Sequence, residues 1–278
     1  MSPQIGATHF YDMTYKTLLL EIESGVATLT LNRPASRNAF SPDLMQEIRA
    51  ALAELASRRD VRALLLTGKG ASFCAGADLS LQAGGDRTSR AKEGSRQQRE
   101  WINPIVTDLQ ALPFPTIAAV NGSAAGAGAS LALACDVVIA ARSSFFLFPF
   151  MPRLGIVPDM GATWFLPRLV GSARAMALSL IGDRLPAAQA AEWGLIWRCV
   201  DDAALMDEAQ ALVARVAKAP AHAAVELRRA FKHAEEQDLA AQLDYEADRQ
   251  AELLATEEFE EGVLSFLEKR EPRFPPRG

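Results

Sequence analysis

The first clear pattern along the chain is alternation. Apolar residues occupy every second position over 17–22 and 26–32, around a Ser24-Gly25 turn, and predict a β-hairpin. Ser41-Pro42 then reads as a helix N-cap followed by proline at the first helical position. Leu44, Ile48, Leu52 and Leu55 repeat at helical spacing behind it. Residues 61–67 and 116–120, with apolar runs at 63–66 and 117–120, have the pattern of buried strands, and each flows into a loop rich in Gly and Ala. A polar stretch over 82–98 reads as a solvated surface loop. Residues 101–112 read as a helix stopped by Pro113 and Pro115. A third buried strand is expected over 137–141, a helix over 172–181 and a last strand over 194–200. From Asp202 onward the pattern is helical only, over 203–217, 221–235, 239–254 and 258–269. Alternating strands and helices followed by helices alone predict an α/β core over 15–201 and a helical tail over 202–278. A variable N-terminal stretch, 1–14, precedes the core.

Composition narrows the function classes. The 278 residues are 49% hydrophobic and 23% charged, enough for one large core and an appendage. A net charge of −5 argues against a nucleic-acid footprint. Cys74, Cys135 and Cys199 lie far apart, without metal or disulfide spacing, so a reducing, cytoplasmic setting is expected. No apolar run approaches the roughly 18 residues that span a membrane. Residues 1–13 lack the basic start and apolar centre of a signal peptide. His9, His222 and His233 fall in no motif and read as surface or packing residues.

The candidate chemistry lies in the run Asn121-Gly122-Ser123-Ala124-Ala125-Gly126-Ala127-Gly128-Ala129-Ser130-Leu131. It has almost no side-chain volume and no titratable group, so what it offers a ligand is backbone N–H at a helix start. Close strand–helix packing would also need small residues here. The second small-residue loop, Lys69-Gly70-Ala71-Ser72-Phe73-Cys74-Ala75-Gly76-Ala77-Asp78-Leu79, follows the other buried strand. If the two strands are parallel, both loops emerge at one sheet edge, and two amides converging there are the geometry of an oxyanion hole. Phe145, Phe146, Phe148 and Phe150 with Met151 fit either core packing or the wall of an acyl pocket.

Several ordered segments carry a family resemblance. They are Asn32-Arg33-Pro34, Asn38-Ala39-Phe40, Phe73 to Leu79, Pro115-Thr116, Asn121-Gly122 with Gly126-Ala127-Gly128, and Cys135-Asp136. Further on come Leu154-Gly155-Ile156-Val157-Pro158 with Gly161, Leu166-Pro167-Arg168-Leu169-Val170-Gly171, and Glu261-Gly262-Val263 with Phe266-Leu267-Glu268-Lys269-Arg270. On these segments the chain resembles the enoyl-CoA hydratase/isomerase (crotonase) family over residues 15–270. The resemblance implies a spiral of ββα units with a C-terminal all-helical trimerisation region, giving a homotrimer or a dimer of trimers. It implies an acyl-CoA thioester substrate and no separate cofactor, since coenzyme A is part of the substrate. Neither a metal, a nucleic acid nor a membrane is implied.

The same resemblance assigns sites. The oxyanion amides fall at Ala77 and Ala127, with Gly126 beside the second. Ala75, Asp78 and Leu79 fall near the adenine, and residues 35–37 near the phosphates, where Arg37 is the basic residue because position 35 is alanine. Phe266 and Lys269 would reach the coenzyme of a neighbouring subunit, although Lys269 also fits a plainer role at a helix C-terminus. Family hydratases activate water with two glutamates. The matching positions here are Ser130 and Met151, or Phe150 if the alignment shifts by one, and none is acidic. An acid stands instead at Asp159, in Val157-Pro158-Asp159-Met160-Gly161. It fits either an N-cap for a helix at 160–166 or a lone general base, and one carboxylate suffices to move a proton between two carbons. Should Asp159 not serve, Glu192 and Asp136 are the next acids. Phe148-Pro149-Phe150, Gly161-Ala162-Thr163-Trp164 and Trp193-Gly194-Leu195-Ile196-Trp197 bring the chain near a subgroup of isomerases. These act on ring-epoxide phenylacetyl-CoA and also move double bonds in enoyl-CoAs. The expected activity is therefore acyl-CoA isomerisation. Enoyl-CoA hydration is the rival, and a non-catalytic CoA- or RNA-binding role is a more distant one.

Overall fold

The computed structural model describes residues 15–79 and 86–275. The N-terminal stretch 1–14, with His9, and the beginning of the polar segment at 82–85 lie outside these residues. The predicted hairpin is β1 (Leu18–Glu23) and β2 (Val26–Leu31), paired antiparallel around Ser24 and Gly25 at positive φ. Helix α1 (Pro42–Ser57) starts where expected: the Ser41 hydroxyl accepts from the Leu44 amide at 3.2 Å, and Leu44, Ile48, Leu52 and Leu55 are buried.

Then the chain alternates between two sheets. Strand β3 (Ala63–Gly68) enters the large sheet, β4 (Ser72–Cys74) the small one, and α2 (Arg87–Gln97) and α3 (Asn103–Gln110) follow. The pattern repeats as β5 (Thr116–Val120), β6 (Ser123–Ala125) and α4 (Ala127–Leu133), and again as β7 (Val137–Ala141), β8 (Phe145–Leu147) and α5 (Ala162–Ile181). The large sheet has the order β1-β2-β3-β5-β7-β10, and the small one β4-β6-β8-β9, where β9 is Leu185–Pro186 and β10 is Arg198–Val200. This is the expected ββα succession, α/β in class, although no repeat is legible in the sequence.

Strands β2, β3, β5, β7 and β10 run parallel. Both faces of β3 are covered. Leu64 and Leu66 join the main core between the sheets, while Ala63 and Leu65 face a second core with Ile117, Ala119 and Ile139. Helix α7 (Leu205–Val216) supplies Leu205, Ala209 and Val213 to that second core, so the first helix after residue 202 packs on the sheet. Helix α6 (Ala187–Glu192) lies between β9 and β10. The remaining helices are α8 (Ala223–Glu236), α9 (Leu239–Leu253) and α10 (Glu257–Glu268). Within this single chain α9 buries no residue, α8 only Ala224 and α10 only Ser265.

One segment departs from the sequence expectation. The polar stretch read as a loop carries α2, capped by the Asp86 carboxylate accepting from the Ser89 amide at 2.8 Å. A single wide turn, Gln98–Ile102, then leads into α3. Helix α2 buries nothing and so has no apolar stripe for a periodicity to reveal. Its order comes from the cap and from Arg96 paired with Glu93 and Glu100. No helix among the described residues is long and apolar enough to cross a membrane.

Asn38 ties the entry of α1 to the small sheet. Fully buried, it donates to the carbonyls of Lys69 (3.1 Å) and Ser72 (2.8 Å) and accepts from the Arg33 amide (2.8 Å). Asn38→Ala leaves three backbone groups unpaired and is expected to cost about 2–4 kcal/mol, lowering Tm by roughly 5–10 °C. Differential scanning calorimetry checks this. A change under about 2 °C would mean that water replaces the amide.

Candidate functional site

The two small-residue loops meet. Strands β3 and β5 are parallel, with Leu64 opposite Thr116, so both loops leave the same sheet edge. Strand β4 then pairs with β6, and the chain at 76–77 comes against the head of α4. A Cβ built on Gly76 would lie 2.6 Å from the Ala125 carbonyl oxygen and 3.3 Å from the Ala127 nitrogen. Gly76 sits at φ 87 and Gly126, the N-cap of α4, at φ 53 and ψ −127, conformations for which glycine is suited.

The segment around Ala77 is held from its far side. The Phe40 amide donates to the Gly76 carbonyl at 2.8 Å, and the Asp78 amide donates to Phe40 O at 3.2 Å. That pairing turns the Ala77 N–H away from Phe40. Among the described residues neither the Ala77 nor the Ala127 amide has a hydrogen-bond acceptor. Ala127 is the first residue of α4, whose dipole adds to its donor strength. Two unpaired N–H groups on adjoining loops can receive one oxygen that gains negative charge.

Asp159 lies in the turn before α5. The N-cap expectation for it is not met. Helix α5 begins at Ala162 with Gly161 as its cap, and what Asp159 gives that first turn is its carbonyl, which accepts from the Ala162 amide at 3.0 Å. Its carboxylate caps nothing. Oδ1 is sequestered from solvent and has no hydrogen-bond partner. Burial pushes the carboxyl pKa up to about 6, opposed only by its own backbone amide. The turn is held by Met160, a buried residue at φ 49, in the left-handed region that costs a non-glycine residue about 1–2 kcal/mol. Sequence reasoning missed Met160; a bulky apolar residue just before Gly161 was the available signal.

The remaining candidates are distributed as follows. The Arg37 carbonyl accepts from the Ala75 amide at 2.9 Å, and the Arg37 side chain is exposed. Asp78 faces Arg33 at 3.7 Å, and Arg33 also donates to the Ala39 carbonyl. Arg33 thereby buttresses the Ala77 loop, a role its motif alone did not reveal. Leu79 is exposed at the end of that loop. The Phe150 ring lies 3.6 Å from a Cβ built on Gly126, whereas Phe146 and Phe148 are fully buried core. Met151 is 39% exposed on the following wide turn, Phe150–Leu154. Ser130 is buried, its hydroxyl donating to the Gly126 carbonyl at 3.3 Å. Asp136 is engaged by Arg228 and Thr116, and Glu192 is exposed on α6. Phe266 is 82% exposed and lines an apolar groove of about 540 Å³ built from tail residues, among them His222, Leu254 and Phe259. Lys269 closes α10 through its backbone, at φ 55 with its amide on the Phe266 carbonyl, rather than through its side chain.

Known proteins are similar to this chain in sequence and fold. Residues 21–277 match the profile of the family described as enoyl-CoA hydratase/isomerase. The chain is 45% identical over 257 residues to the 1,2-epoxyphenylacetyl-CoA isomerase of Escherichia coli K12, which covers 92% of this chain and 97% of that protein. It is 43% identical over 265 residues to a "Probable enoyl-CoA hydratase" of Rhodobacter capsulatus, covering 95% and 100%. The crystal structure of an enoyl-CoA hydratase from Polaromonas sp. JS666 superposes with a TM-score of 0.86 at 32% identity, covering 93% of this chain and 99% of that one.

The raised carboxyl pKa has a thermodynamic signature. Between the ordinary value of 3.8 and about 6, folded Asp159 holds a proton that the unfolded chain has released. Its contribution to stability is therefore full below pH 4 and is lost as pH rises through 6. Asp159→Asn, which cannot ionise, is expected to melt about 3–6 °C above the native protein at pH 7.5 and to match it at pH 4. Equal melting temperatures at both pH values would mean that the carboxylate is solvated.

Proposed function

Because the chain belongs to the enoyl-CoA hydratase/isomerase family, we propose that it isomerises acyl-CoA thioesters through a proton shuttle on Asp159. The observation that carries this reading is the Asp159 carboxylate, whose Oδ1 is sequestered and unpartnered, in a protein whose Ala77 and Ala127 amides are unpaired among the described residues. A thioester carbonyl held by those amides acidifies the neighbouring carbon. Asp159 removes a proton there, and the electron pair moves onto the carbonyl oxygen as an enolate, stabilised by both N–H groups. For a 3-enoyl thioester, Asp159 returns the same proton to the γ-carbon. The carbonyl reforms, the double bond moves into conjugation, and no atom is gained or lost. A base with a pKa of about 6 suits both steps near neutral pH.

Hydration asks for a water held and activated by further acid groups. Ser130 has its hydroxyl turned onto the Gly126 carbonyl, Asp136 is bound by an arginine, and Glu192 is exposed. This favours isomerisation over the hydratase activity that the Rhodobacter relative's description suggests. Similarity to the Escherichia coli enzyme supports an aromatic ring-epoxide thioester as one substrate, with simple enoyl-CoAs as another. No further cofactor enters the scheme.

The assembly we propose is a homotrimer or a pair of trimers. Phe231, Phe266 and Leu267 are 68%, 82% and 70% exposed, an apolar surface that a lone chain leaves in water. Phe266 and Lys269 of one subunit would then close over the coenzyme held at Arg37, Ala75, Asp78 and Leu79 of another.

Three outcomes test this reading. Asp159→Asn should bind CoA thioester normally and lose isomerisation by 10²–10⁴-fold, read from single-substrate kinetics; activity within about threefold of native would move the base elsewhere. Ala127→Pro removes one donor and should cost about 10²-fold in turnover. Light scattering at micromolar concentration should give a trimer or hexamer, and a fully active monomer would refute the assembly.

A further inference from the structure

Helix α8 touches the supports of both halves of the site. Near its start, Arg228 forms a double ion pair with Asp136, Nε to Oδ1 at 2.6 Å and Nη2 to Oδ2 at 2.5 Å. The same guanidinium donates to the carbonyls of Gln110 (3.0 Å), Leu112 (2.5 Å) and Phe114 (3.1 Å). Asp136 also accepts from the Thr116 amide at 2.7 Å. Arg228 therefore fixes the starts of β5 and β7 and the chain leaving α4, the short helix that carries the Ala127 amide at its other end.

Seven residues along, on the same face of α8, Glu235 accepts from Arg168 Nε at 3.0 Å. Arg168 belongs to α5. Its guanidinium lies 3.2 Å from the centre of the Trp164 ring, and Nη1 donates to the Trp164 carbonyl at 3.2 Å. The Trp164 amide donates to Gly161 O at 2.8 Å, one hydrogen bond from the turn that holds Asp159. Arg168 thus grips the first turn of α5, and Glu235 orients Arg168. Two residues seven apart are separated by about 10 Å along a helix. A rigid helix of that span links the body bearing the oxyanion donor to the one bearing the base.

We propose that α8 is a brace that sets the base-bearing turn of α5 relative to the head of α4, with Arg168 and Glu235 as positioning residues. This rests on the reading of Asp159 as the base. The Arg168–Glu235 pair is exposed enough to add little to stability. Its loss should therefore be seen in catalysis and local order rather than in melting. The effect should fall on turnover, because neither residue lies in the loops assigned to the coenzyme.

The test is Glu235→Arg, which sets two cations against each other, with Glu235→Gln as the milder variant. Steady-state kinetics should show kcat reduced roughly tenfold for the first and about threefold for the second, KM within twofold of native, and Tm within about 2 °C. Hydrogen–deuterium exchange should quicken at amides 162–166 in both. A kcat within twofold of native together with unchanged exchange, or a loss seen in KM alone, would overturn the brace. Should Glu235→Arg fail to fold, Glu235→Gln decides between the same outcomes. Turnover is read as whichever reaction the native protein catalyses. A native protein that hydrates rather than isomerises would contradict the proposed function, while the exchange data still decide the brace.

Discussion

Everything at this site depends on how closely two stretches of backbone approach. Gly128 in α4 lies against the Cys74 carbonyl of β4, Gly122 against the Ala71 carbonyl, and Gly68 against Phe73. A methyl group at any of the three would strike backbone that cannot rotate away. Because no side chain intervenes, the small sheet forms over the ends of the large one, and the head of α4 arrives beside Gly76-Ala77. The oxyanion hole we propose, made of main-chain amides, rests on this contact. The donors are fixed by packing, so they need no reorganisation when charge develops on a bound oxygen.

The proposed base is presented on the opposite principle. The amide loops are stabilised by a dense set of contacts, with Asn38, Arg33 and Phe40 each holding them through backbone hydrogen bonds. Asp159 has its carboxylate left without such support, and the turn that presents it keeps Met160 in an unfavourable conformation. Desolvation and strain both disfavour the folded state, and they are offset by the large apolar core beneath α4 and α5. This is the usual direction of the exchange between stability and activity. A carboxylate satisfied by hydrogen bonds would be more stable and a weaker base.

Much of the frame was legible in the sequence, and the gaps have physical causes. The hairpin, α1 and the buried strands announce themselves because burial imposes periods of two and 3.6 on apolar residues. The two loops were readable because the absence of side chains is itself a pattern. Helix α2 was not, since it is stabilised by a cap and ion pairs and buries nothing. The capping role considered for Asp159 failed because Met160 adopts a left-handed conformation, and the helix starts at Ala162 with no side-chain cap. Long-range ties escaped altogether. Nothing local links Arg228 to Asp136, 92 positions away, or Arg168 to Glu235, 67 away. Such pairs are set by how finished elements pack.

The most direct test of the central claim, that one carboxylate and two amides carry out an isomerisation, is the mass and structure of the product. The protein is incubated separately with a 3-enoyl-CoA and a 2-enoyl-CoA, and each mixture is resolved by chromatography and mass spectrometry. A proton shuttle on Asp159 predicts conversion of the 3-enoyl thioester to its 2-enoyl isomer at unchanged mass. A product that has gained one water from the 2-enoyl thioester, with the 3-enoyl thioester untouched, would contradict it.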